Sequence, residues 1–294
     1  MLKMKKVWYN NKYGDNMNYK IIKFKLIAIR YFVLIMFVLF ICAIVFLMNG
    51  FMEQKPVDRI LSNFQERGEF VNTIIYQNQK VNIYKVQPKW KYEDVSNPVL
   101  TMDDKGDYYI GSKLDIILTN RNPLRTEPSA IVRDFGEFFS KEFFIGHATI
   151  NTTDDGKKII ESVGNTSEYN GVREKENDWL QTEINFENDA QIIVGLRIKG
   201  VTNEIKDQII KSLREKVGLR YNWLFVVPMN NSYYCTDLIT RTLNDFNINI
   251  DYDRLYPTGS DMIISDKTYP IFICERIESG VFNIYYLGEW IWVL

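Results

Sequence analysis

Gly146-His147-Ala148-Thr149-Ile150-Asn151-Thr152-Thr153-Asp154-Asp155-Gly156-Lys157-Lys158-Ile159-Ile160-Glu161-Ser162-Val163 reads as an antiparallel β-hairpin, and its register decides which side chains of the chain can meet. Thr153-Asp154-Asp155-Gly156-Lys157 suits a three-residue loop, a type I turn with Gly156 in the left-handed conformation and a G1 bulge. In that register His147 opposes Val163 and Glu161 opposes Thr149. Residues 147, 149, 161 and 163 then share one face of the sheet, with Glu161 diagonal to His147 and within reach of it. A two-residue Asp-Gly turn would turn the strand over and offer Ser162 instead.

His147 is the only histidine among the 294 residues. Downstream, Tyr233-Tyr234-Cys235-Thr236-Asp237-Leu238-Ile239 places a cysteine in the first turn of a predicted helix, with Ser232 as its N-cap. Free N–H groups and the helix dipole favour a thiolate there. Cys235 shares a helix face with Leu238, Ile239, Thr242, Leu243 and Phe246. That apolar face is expected to pack on the sheet and to turn the thiol toward the strands that hold His147. A thiol nucleophile needs a base, and an imidazole suits that task near neutral pH. A carboxylate at Glu161 would accept the second ring N–H and fix the tautomer. Each residue also has a structural reading: a small hydrophobe on an apolar helix stripe, or a solvated sheet glutamate.

Tyr31 to Met48 reads YFVLIMFVLFICAIVFLM, 18 residues without charge, Pro or Gly. That is about the length needed to cross a bilayer core of ~30 Å at ~1.5 Å per residue. Residues 1–30 carry eight bases against one acid, a net of +7, and the whole chain is −1, so the residues beyond the span carry −8. By the positive-inside rule the N-terminus is expected in the cytoplasm and the chain from about Gly50 outside. A cleaved signal peptide is the other reading, but its apolar run is usually shorter and Met48-Asn49-Gly50-Phe51-Met52 makes a poor cleavage site. An acidic ectodomain is a poor partner for nucleic acid. The basic leader suits topology and anionic lipid headgroups.

The expected organisation is a basic cytoplasmic segment (1–30), a signal anchor (31–49), a stalk or small β subdomain (50–100) and one domain over 101–294. Val57, Ile60, Leu61 and Phe64 mark a short amphipathic helix past the membrane. In the main domain a buried strand over Leu114–Thr119 precedes a helix starting near Ser129, with Ile131, Phe135, Phe138 and Phe139 on one face. The hairpin follows, then a strand over 191–198 and a helix over 205–217 closed by Gly218. The Cys235 helix and two or three final strands, ending in aromatic runs, complete an α+β arrangement. Cys42 lies in the span, which leaves Cys235 and Cys274 either to pair in an oxidising exterior or to stay free, Cys274 as a hydrophobe in an apolar strand. One histidine and two scattered cysteines do not make a zinc site, and no cofactor or metal is expected.

Leu114-Asp115-Ile116-Ile117-Leu118, Gly146-His147-Ala148, Glu161, Gly218-Leu219-Arg220-Tyr221-Asn222-Trp223 and Tyr234-Cys235-Thr236-Asp237-Leu238 occur in an order that resembles the permuted NlpC-type papain-like hydrolases, the YiiX-like group. Papain-type enzymes run Cys before His; here His147 precedes Cys235, as a circular permutation requires. The resemblance spans roughly Gly111 to Cys274. It implies a permuted papain-like α+β core and a triad of Cys235 as nucleophile, His147 as base and Glu161 as orienting group. Tyr221 and Tyr234 would line the substrate pocket. The implied activity is cysteine-dependent hydrolysis or transfer at an amide or ester, on a cell-wall peptide or a lipid-linked acyl group. Thr236-Asp237 departs from the commoner Ser-Glu, and Asp115 lacks the usual adjacent Gly-Asp. A non-catalytic module that binds a peptide or lipid on the same fold is the alternative.

Overall fold

The computed structural model describes residues 2–125, 128–144, 146–164, 169–183, 192–224, 229–253, 256–288 and 291–292. It divides into two compact units, Met1–Phe51 and Met52–Leu294. The first unit belongs to helix α1 (Leu2–Gln65). Its apolar run leaves Phe32, Leu34, Phe37, Leu39 and Phe40 exposed, and this one N-terminal helix is long and apolar enough to cross a membrane.

In the second unit the last turns of α1 bury Val57, Leu61 and Phe64, with Ile60 packed beside them. That is the spacing expected of an amphipathic helix. There follow β1 (Gly68–Tyr76), β2 (Gln79–Val86), β3 (Leu100–Met102), β4 (Tyr108–Ile110) and β5 (Ile116–Thr119). Next come α2 (Ala130–Phe143), β6 (His147–Asn151), β7 (Lys158–Val163), β8 (Gly171–Glu176) and α3 (Trp179–Glu183). Then β9 (Ile192–Ile198), α4 (Asn203–Glu215), β10 (Arg220–Tyr221), β11 (Ser232–Tyr233) and α5 (Cys235–Asn244) carry the chain to α6 (Gly259–Ile264). β12 (Thr268–Glu278), β13 (Val281–Leu287) and β14 (Ile291–Trp292) end it. The architecture is α+β.

Nine strands make one sheet in the order β1-β2-β13-β12-β9-β5-β6-β7-β8. Every neighbouring pair is antiparallel except β13 and β2, which run parallel. β1 and β2 therefore do not form a stalk or separate subdomain. They extend the main sheet, because the apolar positions Val81, Ile83 and Val86 of β2 are fully buried and find β13 across about 200 residues of chain. The terminal aromatics Tyr285 and Tyr286 lie in β13 rather than on a separate patch, and Tyr286 is buried.

β5 sits in the middle of the sheet with Ile116, Ile117 and Leu118 fully buried. An uninterrupted apolar run is what a strand covered on both faces requires. Just before it, Asp115 accepts from Arg197 Nε at 2.9 Å and Nη2 at 2.7 Å. The same guanidinium donates to the Asp94 carbonyl at 2.7 Å and to Ser112 Oγ at 3.1 Å. Both side chains are almost wholly enclosed, so this charge pair ties the 94–98 segment and β9 to the entrance of β5.

The 146–163 hairpin takes the three-residue form. Gly156 has φ +70°, its N–H donates to the Thr153 carbonyl at 3.2 Å, and Thr152 N–H donates to the Lys158 carbonyl at 2.8 Å. Thr149 faces Glu161 and Ile150 faces Ile160. A side chain at Gly156 would also run into the Gly111 carbonyl, so both the positive φ and the close approach select glycine.

Candidate active site

His147 is the first residue of β6 and pairs with Thr119 of β5. The residue before it must be small: a Cβ on Gly146 would strike the Arg121 backbone and the Thr119 carbonyl. This close crossing holds the imidazole at the mouth of the strand. Its Nε2 lies 2.8 Å from Glu161 Oε2, and Cys235 is a close enough neighbour of the ring to raise its basicity. Cys235, His147 and Glu161 thus come together at one place in the fold.

Glu161 is 5% exposed and His147 24% exposed at their side chains, so the pair runs from the interior to the surface. Desolvation works against the imidazolium. Cys235 and Glu161 beside the ring outweigh it and push His147 up to about 10. Burial would raise Glu161, but the bond and charge of His147, with Lys175 and Arg173 behind them, bring it down to about 2. The arrangement therefore favours a charged imidazolium beside the Glu161 carboxylate. In that state Nε2–H donates to the carboxylate.

Arg173 completes the carboxylate's shell, donating from Nε to Glu161 Oε1 at 2.8 Å, with Nη2 in ion-pair contact at 2.8 Å. It stands directly opposite Glu161 on β8. Trp179, at the start of α3, stacks on the imidazole with ring centres 5.9 Å apart and 22° between planes. Its Nε1–H donates to Thr149 Oγ at 3.0 Å, on the same strand face. Arg173 and Trp179 are functional neighbours that sequence reasoning missed. The only signal for Arg173 was one of two bases in the strand after the hairpin, whose pairing no local pattern states.

Cys235 opens α5, which packs against β6 and β7. The residue that caps the helix is Tyr234, in extended conformation and without a side-chain capping bond. Ser232 is not the N-cap. It lies in β11, where Arg220 pairs with Ser232 and Tyr221 with Tyr233 in parallel register. Cys235 consequently stands at the first helical position, and the first amides of a helix lack intrahelical acceptors. Ser162 points to the face opposite Glu161, where its hydroxyl donates to the Tyr233 carbonyl at 2.6 Å. The segment leading into α5 therefore crosses Ser162's face.

Aromatic rings gather near the thiol. Burial, then the charge of Cys235, raises Tyr221. Tyr234 is buried and stacks on Tyr256 at 5.2 Å and 11°; burial raises Tyr256 too, with the Cys235 charge next. The loop that carries Tyr256 is fastened to α5 by Thr236 Oγ, which donates to the Pro257 carbonyl at 2.6 Å. Tyr221 and Tyr234 thus stand beside Cys235, and Tyr256 joins them. Cys274 is buried in β12, and no disulfide joins it to Cys235.

Among the described residues one set of acids, Glu53, Asp253 and Asp261, brings carboxylate oxygens within 4.8 Å of one another. Asp261 already caps α6, accepting from Thr258 N–H and hydroxyl at 2.9 and 2.7 Å, and burial pushes its carboxyl up to about 6 against those bonds. Comparison with protein-family models, curated proteins and solved structures finds no match to this chain.

Proposed function

We propose that the chain is a membrane-anchored cysteine hydrolase of permuted papain-like type, with Cys235 as nucleophile, His147 as acid–base and Glu161 as the group that orients it. The observation that carries this reading is the single histidine, bonded to a buried carboxylate and neighbour to a helix-initial thiol. Attack of the Cys235 sulfur on an acyl carbon forms a thioester while His147 delivers its proton to the leaving amine or alcohol. Water then attacks the thioester, His147 accepts its proton, and the acid product and the thiol are released. The unsatisfied amides at the start of α5 suit the oxyanion of each tetrahedral state.

The charge asymmetry about residues 31–48 supports a cytoplasmic N-terminus and an extracytoplasmic catalytic unit. Cell-envelope peptide amides and lipid-linked acyl groups are the substrates such placement puts within reach. A thiol-reactive acyl probe tests the reading. Labelling should fall on Cys235 and drop to background in both Cys235→Ala and His147→Ala. Labelling that ignores His147 and matches Cys274 would favour a non-catalytic binding module.

A further inference from the structure

α2 seats itself with small residues and turns large ones outward. Gly136 leaves no room for a Cβ against Asn122 and Leu124, Asn122 Nδ2 donates to the Arg133 carbonyl at 2.9 Å, and Phe143 is buried at the helix end. The other side presents Ile131 at 81%, Val132 at 38%, Phe135 at 60% and Phe138 at 40% exposure. Four large apolar side chains on one helix face are more than scattered surface hydrophobes.

The occupant follows from where α2 ends. A side chain at Gly259 would collide with the Phe144 carbonyl, so the residue after α2 touches the start of α6. Two residues on, the Asp261 carboxylate lies within 4.8 Å of that of Glu53. Glu53 follows Met48, the last residue of the apolar span, by five positions, a reach of at most about 18 Å. The exposed Tyr252 belongs to the same loop region as Asp253. Over 121–144 four bases balance four acids, so an anionic leaflet does not repel the segment.

We propose that the outer face of α2 lies in the headgroup layer of the membrane that residues 31–48 cross, holding the catalytic unit down on the bilayer. This rests on the anchor reading above. The anchor supplies the affinity and α2 the orientation, as amphipathic helices do when their apolar face enters the interface.

The test uses the full chain reconstituted in vesicles of phosphatidylethanolamine and phosphatidylglycerol. Phe135→p-benzoylphenylalanine is irradiated and adducts are read by mass spectrometry. Ile131→p-benzoylphenylalanine serves as a second, fully surface probe. Ile75 on β1 and Glu137 on the polar side of α2 are control positions. Lipid adducts at 135 and 131 should exceed the controls by roughly tenfold or more, as burial in the interface demands. Yields equal to the controls, or cross-links to a second copy of the chain, overturn the proposal. Carbonate extraction of the same sample separates the two readings: a chain released from the vesicles overturns both, whereas a retained chain without adducts overturns the docking alone.

Discussion

Asp115 and Glu161 each meet an arginine from an adjacent strand, at 2.7 and 2.8 Å, and their second oxygens make the difference between them. Arg197 takes both oxygens of Asp115, and the pair is enclosed at 3% and 2% exposure. Arg173 takes one oxygen of Glu161 and leaves the other to His147, which opens toward solvent. An arginine keeps its charge at any working pH, so Asp115 sits in a constant field that can only hold strands together. An imidazole changes its charge, so Glu161 has a partner whose state it can bias. A carboxylate saturated by arginine belongs to the scaffold. One shared between arginine and histidine has a partner that titrates.

The sharpest way to break this contrast is at the nucleophile. Cys235→Ala should remove acyl-probe turnover by roughly 10⁵-fold or more, since nothing replaces the nucleophile, while the unfolding midpoint in denaturant changes little. Retained turnover would move the chemistry elsewhere. Glu161→Gln comes next: it keeps the shape but withdraws the negative charge, and the rate should fall on the order of 10³-fold. A rate within a few-fold of the parent would demote Glu161 to a scaffold group like Asp115.

Asp115→Asn probes the other side of the comparison. Breaking a buried pair leaves Arg197 uncompensated and should cost about 3–5 kcal/mol of stability, measured by urea unfolding, with the turnover of the folded fraction nearly unchanged. An equal loss of turnover would mean that the two carboxylates are not separate devices.

pH sharpens the contrast further. His147 rises from its ordinary 6.5 to about 10 on folding, so its contribution to stability is full below pH 6.5 and is lost as pH climbs through 10. Glu161 falls from 4.5 to about 2, so its contribution is present above 4.5 and is lost as pH drops through 2. Stability should peak between pH 4.5 and 6.5 and decline on the alkaline side. His147→Gln should flatten that alkaline limb, and an unaltered limb in this variant would refute the assignment. The smallest effect expected is at Ser162→Ala, about 1 kcal/mol for the lost bond to the Tyr233 carbonyl, with probe turnover intact.

The hairpin was legible because its turn chemistry is local. Asp154-Asp155-Gly156 names the loop length, and loop length alone puts Glu161 rather than Ser162 across from Thr149. The helix at Cys235 was legible in its apolar stripe but not in its first residue. Ser232 looks like a cap, yet its backbone is drafted into a parallel pair with Arg220, a partner that local propensity does not register. Arg173 and Trp179 come from β8 and α3, separated from Glu161 by pairings that depend on the whole sheet. β1 and β2 were misjudged for the same reason: they are largely polar, and the buried positions of β2 make sense only beside β13.

That pairing of β2 with β13 sets an order of events during synthesis. Residues 79–86 are made early and present an open strand edge; their partner, residues 281–287, is made about 200 residues later. Through that interval the edge has no native neighbour, and unpaired edges invite the wrong one. The chain must therefore be made almost whole before its sheet can close. Until then the early hairpin offers its open edge to any other strand within reach.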